Sequence, residues 1–272
     1  MADDWTTTIN TGVPNPARIY DYFLGGKDNF PADREVADQL LAIAPVARDV
    51  VEDNRAFLRR AVRYLVGEAG IRQFVDLGSG LPTRGNVHEI AQEVASDTRV
   101  VYVDNDPMVV THSRALLASD NTVVIQADLR EPDQILQDPE VRELIDFDQP
   151  IAVLLMAILH FLPDEEDPAG IVAWFRDALP AGSYLAISHG TTDIPERPDM
   201  SPEEMAEMGA RVERLYQLTT ASLVTRTRAQ VERFFDGFEL VPPGLTEIQL
   251  WRPDRSSSLL PGGFYGGVGR KR

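Results

Sequence analysis

The sequence predicts an α/β fold: a mostly parallel sheet of seven strands with an antiparallel hairpin at one edge, helices on both faces and a helical N-terminal cap. Two observations predict it. From residue 70 onward, apolar strand-like segments alternate with helical segments five times, which is typical of a parallel sheet. The chain then closes with two short strand-like segments around a Pro-Pro-Gly turn. We expect one domain over residues 1–272, with residues 1–69 as the cap and residues 70–272 as the core.

The first 69 residues have the spacing of helices. The segment "NFPADREVADQLLAIAP" has Pro31 near its start and Pro45 beyond its end, as helix boundaries often do. In the next segment, "ARDVVEDNRAFLRRAVRYLVGEAG", apolar residues such as Phe57 and Leu65 recur at helical spacing, and Gly70 is a plausible stop. These two helices would form most of the cap.

Strands and helices alternate from residue 72. The five predicted strands lie in "QFVDLGSG", "TRVVYVDND", "TVVIQADLR", "QPIAVLLMAILHFLP" and "SYLAISHG". Helices are predicted between them in "NVHEIAQEVAS", "PMVVTHSRALLAS", "DPEVRELID" and "DPAGIVAWFRDALPAG", with Asp138 and Asp167 as N-caps of the last two. The fourth strand is apolar without alternation, which indicates burial on both faces.

A helical insertion at about residues 193–226 interrupts the core after the fifth strand. Ser201 and Glu204 form a capping box that predicts a helix start, and Thr227 and Gln230 repeat the pattern for the next helix. The methionines of the insertion favour core packing, and a wall of an acceptor pocket is the alternative. The hairpin is predicted in "FELVPPGLTEIQLW", and the glycine-rich "PGGFYGGVGRKR" is consistent with a flexible tail.

Composition argues against several classes of partner. The net charge is −17, from 43 acidic and 26 basic side chains, so binding to nucleic acid is disfavoured. The longest apolar run, Ile151 to Leu159, is far below the ~20 residues of a membrane span, and the N-terminus lacks a signal pattern. Cysteine is absent, which excludes thiolate metal sites and suits a cytoplasmic location, and the spacing of the four histidines supports no metal site.

The stretch "VDLGSG" joins a strand to a glycine turn at the end of the sheet where ligands bind. Gly78 and Gly80 allow a ligand to approach the backbone closely because they have no Cβ. A dinucleotide site would need a third glycine where the chain has Thr83, and Pro82 interrupts the helix start. An NAD-dependent oxidoreductase is therefore disfavoured.

Acidic residues end three successive strands, which favours S-adenosylmethionine (SAM), a cofactor without phosphate. Asp104 can accept both ribose hydroxyls, and Asp128, with Leu129, can flank the adenine. Asp76 can orient the glycine turn or meet the ammonium of the ligand. The predicted cofactor residues are Asp76, Gly78, Ser79, Gly80, Asp104, Asn105, Asp128, Leu129, Met156, Arg55, Tyr22 and Asn29.

These segments also resemble a known family. "FVDLGSG", "VVYVDND" and "VVIQADLR" are similar to the first three motifs of Rossmann-like class I SAM-dependent methyltransferases, and "LLMAILHFLPD" resembles the fourth strand with its loop. "PNPARIYDYFLGGKDNFPADR", "NRAFLRRAVRYL", "GLPTRGNVHEIAQ" and "YGGVGRK" resemble an actinobacterial S-adenosyl methyltransferase family once known as a domain of unknown function. The resemblance covers nearly the whole chain. It implies a fold and a cofactor, and it implies no particular acceptor.

The segment "YDYFLGGKDN" has two interpretations. It is either a helix end, or a lid that covers the cofactor and excludes water, with Tyr22 or Asn29 in contact with the ligand. Arg55, on the following helix, is a candidate partner for the carboxylate of SAM. Both interpretations of the segment can hold together.

Catalysis by methyl transfer needs alignment of donor and acceptor, and a general base where the acceptor loses a proton. His160 and His189 follow the fourth and fifth strands and are candidates, as is Tyr22. The predicted function is methyl transfer from SAM to a small-molecule acceptor. The alternative is a non-catalytic domain that binds SAM or S-adenosylhomocysteine (SAH) as a sensor or partner, and the same three acids would be expected of it.

Overall fold

An eight-stranded sheet runs through the described part of the protein, which in the computed structural model comprises residues 9–83, 85–117, 119–193, 200–254 and 263–272. The strand order is β3-β2-β1-β4-β5-β8-β6, with β7 also paired to β8. The first five strands are mutually parallel. The strands are β1 (Gln73–Leu77), β2 (Arg99–Asp104), β3 (Thr122–Gln126), β4 (Ala152–Met156), β5 (Tyr184–Gly190), β6 (Phe238–Leu240), β7 (Thr246–Glu247) and β8 (Phe264–Lys271).

Ten α-helices are described around this sheet. The helices are α1 (Pro16–Phe23), α2 (Pro31–Ile43), α3 (Ala47–Gly67), α4 (Val87–Gln92), α5 (Pro107–Leu117), α6 (Pro132–Gln137), α7 (Pro139–Leu144), α8 (Pro168–Ala178), α9 (Pro202–Tyr216) and α10 (Arg228–Glu232). The predicted N-caps Asp138 and Asp167 and the capping box of Ser201 with Glu204 are all present. None of the described helices combines the length and apolar character that a membrane crossing requires.

Both faces of the sheet are covered, because successive strand residues point to opposite sides. Phe74 of β1 and Leu154 of β4 pack with α3, α4 and α5. Val75 and Leu155, from the same two strands, pack with α6, α7 and α8 on the other face. The predicted mostly parallel sheet is therefore confirmed, with β4 packed on both faces as expected, although the sheet has eight strands where seven were predicted.

The antiparallel edge is present, but its pairing differs from the predicted hairpin. β6 and β7 do not pair with each other; each pairs with β8, which in turn pairs with β5. The interpretation of "PGGFYGGVGRKR" as a flexible tail is wrong for residues 264–271, which form a strand inside the sheet. A Cβ at Gly266 would lie 2.8 Å from both Phe57 Cζ and Ile248 Cγ2, so the glycine reflects close packing rather than flexibility.

The first two helices form a separate apolar cluster at the end of the sheet where the strands β1 to β5 finish. Ile19 and Phe23 of α1 pack against Leu40 of α2. Val212 and Tyr216 of α9 pack on the same cluster, so the helix that follows β5 closes over the N-terminal helices. This arrangement leaves a cavity between the helices and the strand ends.

Candidate functional site

The glycine turn after β1 is pinned to the neighbouring strand β2. The N–H groups of Gly78 and Ser79 donate to the Val103 carbonyl oxygen at 2.8 and 3.1 Å. The N–H of Gly80 donates to Asp104 Oδ2 at 2.9 Å. Gly78 and Gly80 have φ angles of 69° and 67°, in the left-handed region that glycine adopts without strain. The turn thus presents its backbone at the carboxyl edge of the sheet.

The three predicted acids line one cavity because β1, β2 and β3 are neighbours in the sheet. Both oxygens of Asp104 accept backbone hydrogen bonds, from Gly80 and from the N–H of Asp106 at 3.0 Å. The Asp128 carboxylate accepts from the Arg130 N–H at 2.9 Å and from its guanidinium at 3.2 Å. Each carboxylate is oriented by the backbone or side chain beside it.

Burial shifts two of these acids toward neutrality. Desolvation raises the pKa of Asp76 to about 7, which the positive charge of Arg55 opposes and the negative charge of Asp104 reinforces. Desolvation likewise raises the pKa of Asp104 to about 6, against the hydrogen bonds from the Asp106 and Gly80 N–H groups. A ligand that brings a positive charge or hydroxyl donors to these carboxylates would stabilise their ionised forms.

The cavity wall contains polar atoms that lack a partner. Ser79 Oγ, Thr83 Oγ1 and Asn54 Oδ1 are buried and have no hydrogen-bond partner within the described part of the chain. All three residues line the cavity. Buried polar groups are nearly always hydrogen-bonded in proteins, and a rotation of these side chains toward a polar ligand would supply the missing partner. Space is also present beside the turn, since, apart from its chain neighbours, no described residue has an atom within 4 Å of the position that a Cβ at Gly80 would take.

The cavity has a volume of about 1570 Å³. Ten of the twelve predicted cofactor residues line it: Arg55, Asp76, Gly78, Ser79, Gly80, Asp104, Asn105, Asp128, Leu129 and Met156. Asn54 and Thr83 were not among the predicted residues, although Thr83 occupies the position of the third glycine of a dinucleotide site. Among the described residues, no group of three His, Asp or Glu side chains is arranged to hold a metal ion.

Tyr22 and Asn29 lie outside the cavity lining. The Tyr22 hydroxyl donates to Asp38 Oδ1 at 2.9 Å, and Asn29 Nδ2 donates to Asp21 Oδ2 at 2.9 Å. The same N-terminal segment nevertheless reaches the cavity through Tyr20 and Asp21. The segment is therefore a helix end that also forms a wall of the cavity, through other residues than those expected.

Asn15 ties this wall to the site. Its Oδ1 caps α1 by accepting from the Ala17 N–H at 2.8 Å. Its Nδ2 donates to Asp106 Oδ2 at 2.8 Å and to Thr220 Oγ1 at 3.2 Å. One side chain thus joins the N-terminal helices, the turn after β2 and the segment after α9.

Replacing Asn15 by alanine is expected to lower the unfolding free energy by about 1–3 kcal/mol, because a helix cap and two tertiary hydrogen bonds are lost together. Thermal unfolding of the ligand-free protein measures this. Asn10→Ala is the control, since the exposed Asn10 side chain accepts a local bond from the Gly12 N–H and makes no other hydrogen bond to the described residues. Equal melting temperatures for the two variants would contradict the role given to Asn15.

The two histidine candidates occupy different environments. His160 lines the cavity, and its Nδ1 accepts from the Gly190 N–H at 3.2 Å. His189 lies behind the lining: its Nδ1–H donates to the Gly190 carbonyl oxygen at 2.6 Å, and its Nε2 accepts from Arg226 at 3.0 Å. Burial, as the main cause, lowers the pKa of His160 well below its usual value and that of His189 to about 4.

Arg226 was not singled out in the sequence, and it holds the loop after β4 in place. It is buried, and its guanidinium donates to the carbonyl oxygens of Leu159 and Leu162 at 3.1 and 2.8 Å. It also forms an ion pair with Asp164 at 2.6 Å. Since His160 lies within the same loop, Arg226 fixes where that ring meets the cavity.

Comparison with known proteins gives a consistent result. The sequence model of a family described as S-adenosyl methyltransferase matches residues 3–272. A duf574 family protein from Streptomyces avermitilis is 44% identical, with a TM-score of 0.90 over 97% of this chain and 100% of that one. Comparison with the curated proteins finds no match.

Two further solved structures agree. A protein from Thermobifida fusca, described as a candidate methyltransferase, is 44% identical over 99% of both chains with a TM-score of 0.87. A SAM-dependent methyltransferase from Anabaena variabilis shares the fold at 15% identity, with a TM-score of 0.52 over 96% of this chain and 97% of that one. With the family model over nearly its whole length and two relatives at this identity, the chain belongs to the S-adenosyl methyltransferase family.

Proposed function

We propose that the protein binds SAM at the ends of β1, β2 and β3 and transfers its methyl group to a small-molecule acceptor in the same cavity. The observation that supports this most is the meeting of Asp76, Asp104 and Asp128 around the glycine turn, in a cavity of about 1570 Å³. A pocket for one small ligand is typically about 300–1,000 Å³, so this volume suits a cofactor together with an acceptor.

Different polar groups around the turn would contact different parts of the cofactor. Asp104 would accept the ribose hydroxyls, with Asn105 beside it, and Asp128 with Leu129 would flank the adenine. Both acids keep lone pairs beyond those that their present hydrogen bonds use. Met156, at the end of β4, lines the cavity between these groups and the loop that carries His160.

The amino-acid end of the cofactor would meet a second set of groups. Asp76 carries the negative charge for the ammonium, and Asn54 Oδ1 adds an acceptor that has no partner among the described residues. The hydroxyls of Ser79 and Thr83 are donors for the carboxylate. Arg55, whose guanidinium donates to the Gly85 carbonyl oxygen at 2.8 Å, adds a positive charge at this end of the cavity.

When bound, SAM supplies a methyl group activated by a sulfonium centre. The residues of this chain then have to align the acceptor and exclude water, and alignment supplies much of the rate enhancement in such displacements. His160 is the candidate residue for orienting the acceptor, since it lines the cavity directly after β4.

Calorimetry with SAM, SAH and NAD tests the cofactor, and a turnover assay that detects SAH with a panel of cell extracts tests the reaction. We expect SAM and SAH to bind and NAD to bind little, because the turn lacks the third glycine of a dinucleotide site. Tight binding of NAD alone would support the oxidoreductase. Binding of SAM with no turnover in any extract would favour the sensor or partner domain.

The pH dependence of SAH affinity is expected to be steep near neutrality. Asp76 and Asp104, with pKa values of about 7 and about 6, are largely protonated at pH 5.5, and a protonated carboxyl is a poorer acceptor for an ammonium or a diol. Affinity should fall by about tenfold or more between pH 8 and pH 5.5. Calorimetry at both pH values measures this, and an unchanged dissociation constant would contradict it.

The stability of the ligand-free protein should change in the opposite direction. The pKa of Asp76 is raised from 3.8 to about 7 on folding, so the folded state binds more protons than the unfolded state between these values. This group therefore destabilises the fold as pH rises through about 7. Thermal unfolding of wild type and Asp76→Asn at pH 5.5 and pH 8 measures the contribution of this carboxyl. From pH 5.5 to pH 8 the variant should lose less stability than the wild type.

A further inference from the structure

We propose that the acceptor is an apolar molecule that carries a basic nitrogen, and that Glu213 of α9 receives this nitrogen. The inference rests on the proposed function, because it names the substrate class of the same cavity. The cavity has two walls of different character. The wall made by the strand ends is polar, whereas the wall made by α1, α2, α3, α9 and β8, called here the helical wall, is mainly apolar.

The helical wall includes aromatic and aliphatic side chains from five elements. Its apolar residues include Phe23, Leu40, Met205, Met208, Val212 and Phe264. Methionine on two successive turns of α9 gives this wall an adaptable surface that packs well on rings. No residue of α9 is fully buried; Met205, Met208 and Val212 line the cavity, and Val212 also packs on the cluster of α1 and α2. An apolar acceptor body therefore gains by contact with this wall.

The charges that line the cavity are unevenly distributed. Four carboxylates belong to the helical wall: Asp21 of α1, Asp49 and Asp53 of α3, and Glu213 of α9. Among the described lining residues, Arg55 and Arg130 are the side chains with a full positive charge. Arg55 of α3 reaches the loop after β1, where its guanidinium donates to the Gly85 carbonyl oxygen, and Arg130 is paired with Asp128 and Glu166.

An acceptor with a carboxylate or phosphate would therefore meet like charges in a partly desolvated space, where repulsion is strong. A cationic or neutral acceptor meets no such penalty. The helical wall thus disfavours anionic acceptors and favours an acceptor with a group that can form an ion pair with a carboxylate.

Glu213 is the best placed of these carboxylates. Its Oε1 accepts from the Thr225 hydroxyl at 2.8 Å, which fixes the side chain and leaves further lone pairs for a ligand. Thr225 follows Val224, whose N–H donates to the His160 carbonyl oxygen at 2.7 Å. Glu213 is thereby held next to the loop after β4, which also lines the cavity.

His160 cannot accept the proton of the acceptor nitrogen. Its Nδ1 already accepts from the Gly190 N–H, so the neutral ring carries its proton on Nε2 and is a donor there. Burial lowers the pKa of this ring, and it stays neutral at physiological pH. Proton acceptance therefore falls to a carboxylate.

In the proposed reaction Glu213 acts as the base. Glu213 takes a proton from the ammonium form of the acceptor, which frees the nitrogen lone pair. That lone pair forms the new bond to the methyl carbon while the carbon–sulfur bond breaks, and its electron pair goes to the sulfur. The products are a neutral thioether and a methylated ammonium, and the proton on Glu213 returns to solvent.

The test uses three probes that share an indole ring: tryptamine, tryptophol and indole-3-acetate, which end in an ammonium, a hydroxyl and a carboxylate. Each is titrated by calorimetry into the full-length protein saturated with SAH. Tryptamine should bind about tenfold or more tightly than indole-3-acetate, with tryptophol between them. Equal or tighter binding of indole-3-acetate, or no binding of tryptamine, would overturn the inference.

Glu213→Gln should weaken tryptamine about tenfold and leave tryptophol and SAH unchanged, because glutamine keeps the oxygen for Thr225 and removes the charge. Glu207→Gln, an exposed position on the same helix outside the lining, is the control and should change none of the three. Unchanged preference for tryptamine in Glu213→Gln would reject Glu213 as the receiving group. Failure of SAH itself to bind would reject the proposed function instead, so the two failures are distinct.

Discussion

Replacing Gly78 by alanine is expected to damage both the stability of the protein and its cofactor site. A Cβ at this position would lie 2.4 Å from Ile158 Cγ1 and 2.6 Å from its Cδ1, and the φ angle of 69° is strained for alanine. The backbone strain costs about 1–2 kcal/mol and the overpacking about 1–3 kcal/mol. Thermal unfolding should show a melting temperature lower by roughly 5–15 °C.

Gly80→Ala is the matched control for that variant. Its φ angle is 67°, and within the described part of the chain no residue beyond its two neighbours comes within 4 Å of the added Cβ. In the ligand-free protein it should therefore show the strain without the clash. A second check is Ile158→Ala in the Gly78→Ala background, which removes the two closest atoms and should recover part of the loss. Equal destabilisation by Gly78→Ala and Gly80→Ala would show that the contact with Ile158 is not limiting.

Asp104→Asn is expected to weaken SAH binding about 100-fold. Two hydroxyl hydrogen bonds would lose a charged acceptor, and hydrogen bonds to charged groups contribute about 1.5–3 kcal/mol each. The N–H groups of Gly80 and Asp106 would also lose their carboxylate partner, which loosens the turn. Calorimetry with SAH measures the loss.

Asp128→Asn provides the comparison for Asp104. Its carboxylate is already shared with Arg130 and would make one hydrogen bond to the adenine amino group, so a loss nearer tenfold is expected. Melting temperatures of both ligand-free variants within a few degrees of wild type would exclude global unfolding as the cause. An Asp104→Asn protein that binds SAH as tightly as wild type would show that the ribose assignment is wrong.

The parallel part of the fold and the strand-end acids were predictable from the sequence because both depend on local features. An apolar segment that runs directly into an acid puts that acid at the carboxyl end of a strand, and neighbouring parallel strands bring such ends together. For this reason Asp76, Asp104 and Asp128 were predicted to lie together, and they line one cavity.

The orientation of helical side chains was not predictable in the same way. Tyr22 faces Asp38 and Arg48, which belong to later helices, so its direction depends on how three helices pack. His189 is fixed by Arg226, which lies 37 positions later in the chain. Long-range partners of this kind leave no local pattern in the sequence.

Strand β8 was missed for a related reason. Its glycines at 266, 267 and 269 lack the alternation of apolar and polar residues that marks a strand. Phe57, Phe235 and Phe238, from other parts of the chain, fill the space that side chains of this strand would otherwise occupy. A glycine-rich segment facing large aromatic residues from elsewhere in the chain cannot be distinguished from a linker by composition alone.

The position of β8 between β5 and the pair β6 and β7 has a consequence for how the molecule is made. Residues 264–271 come after the other seven described strands in the chain, so β5 has an open edge until they are synthesised. Gly263 and Phe264 line the cavity, and the cavity is therefore completed at the same moment as the sheet. Without these residues the edge of β5 would be unpaired and part of the cavity lining would be missing, so closure of the sheet and formation of the binding cavity are coupled.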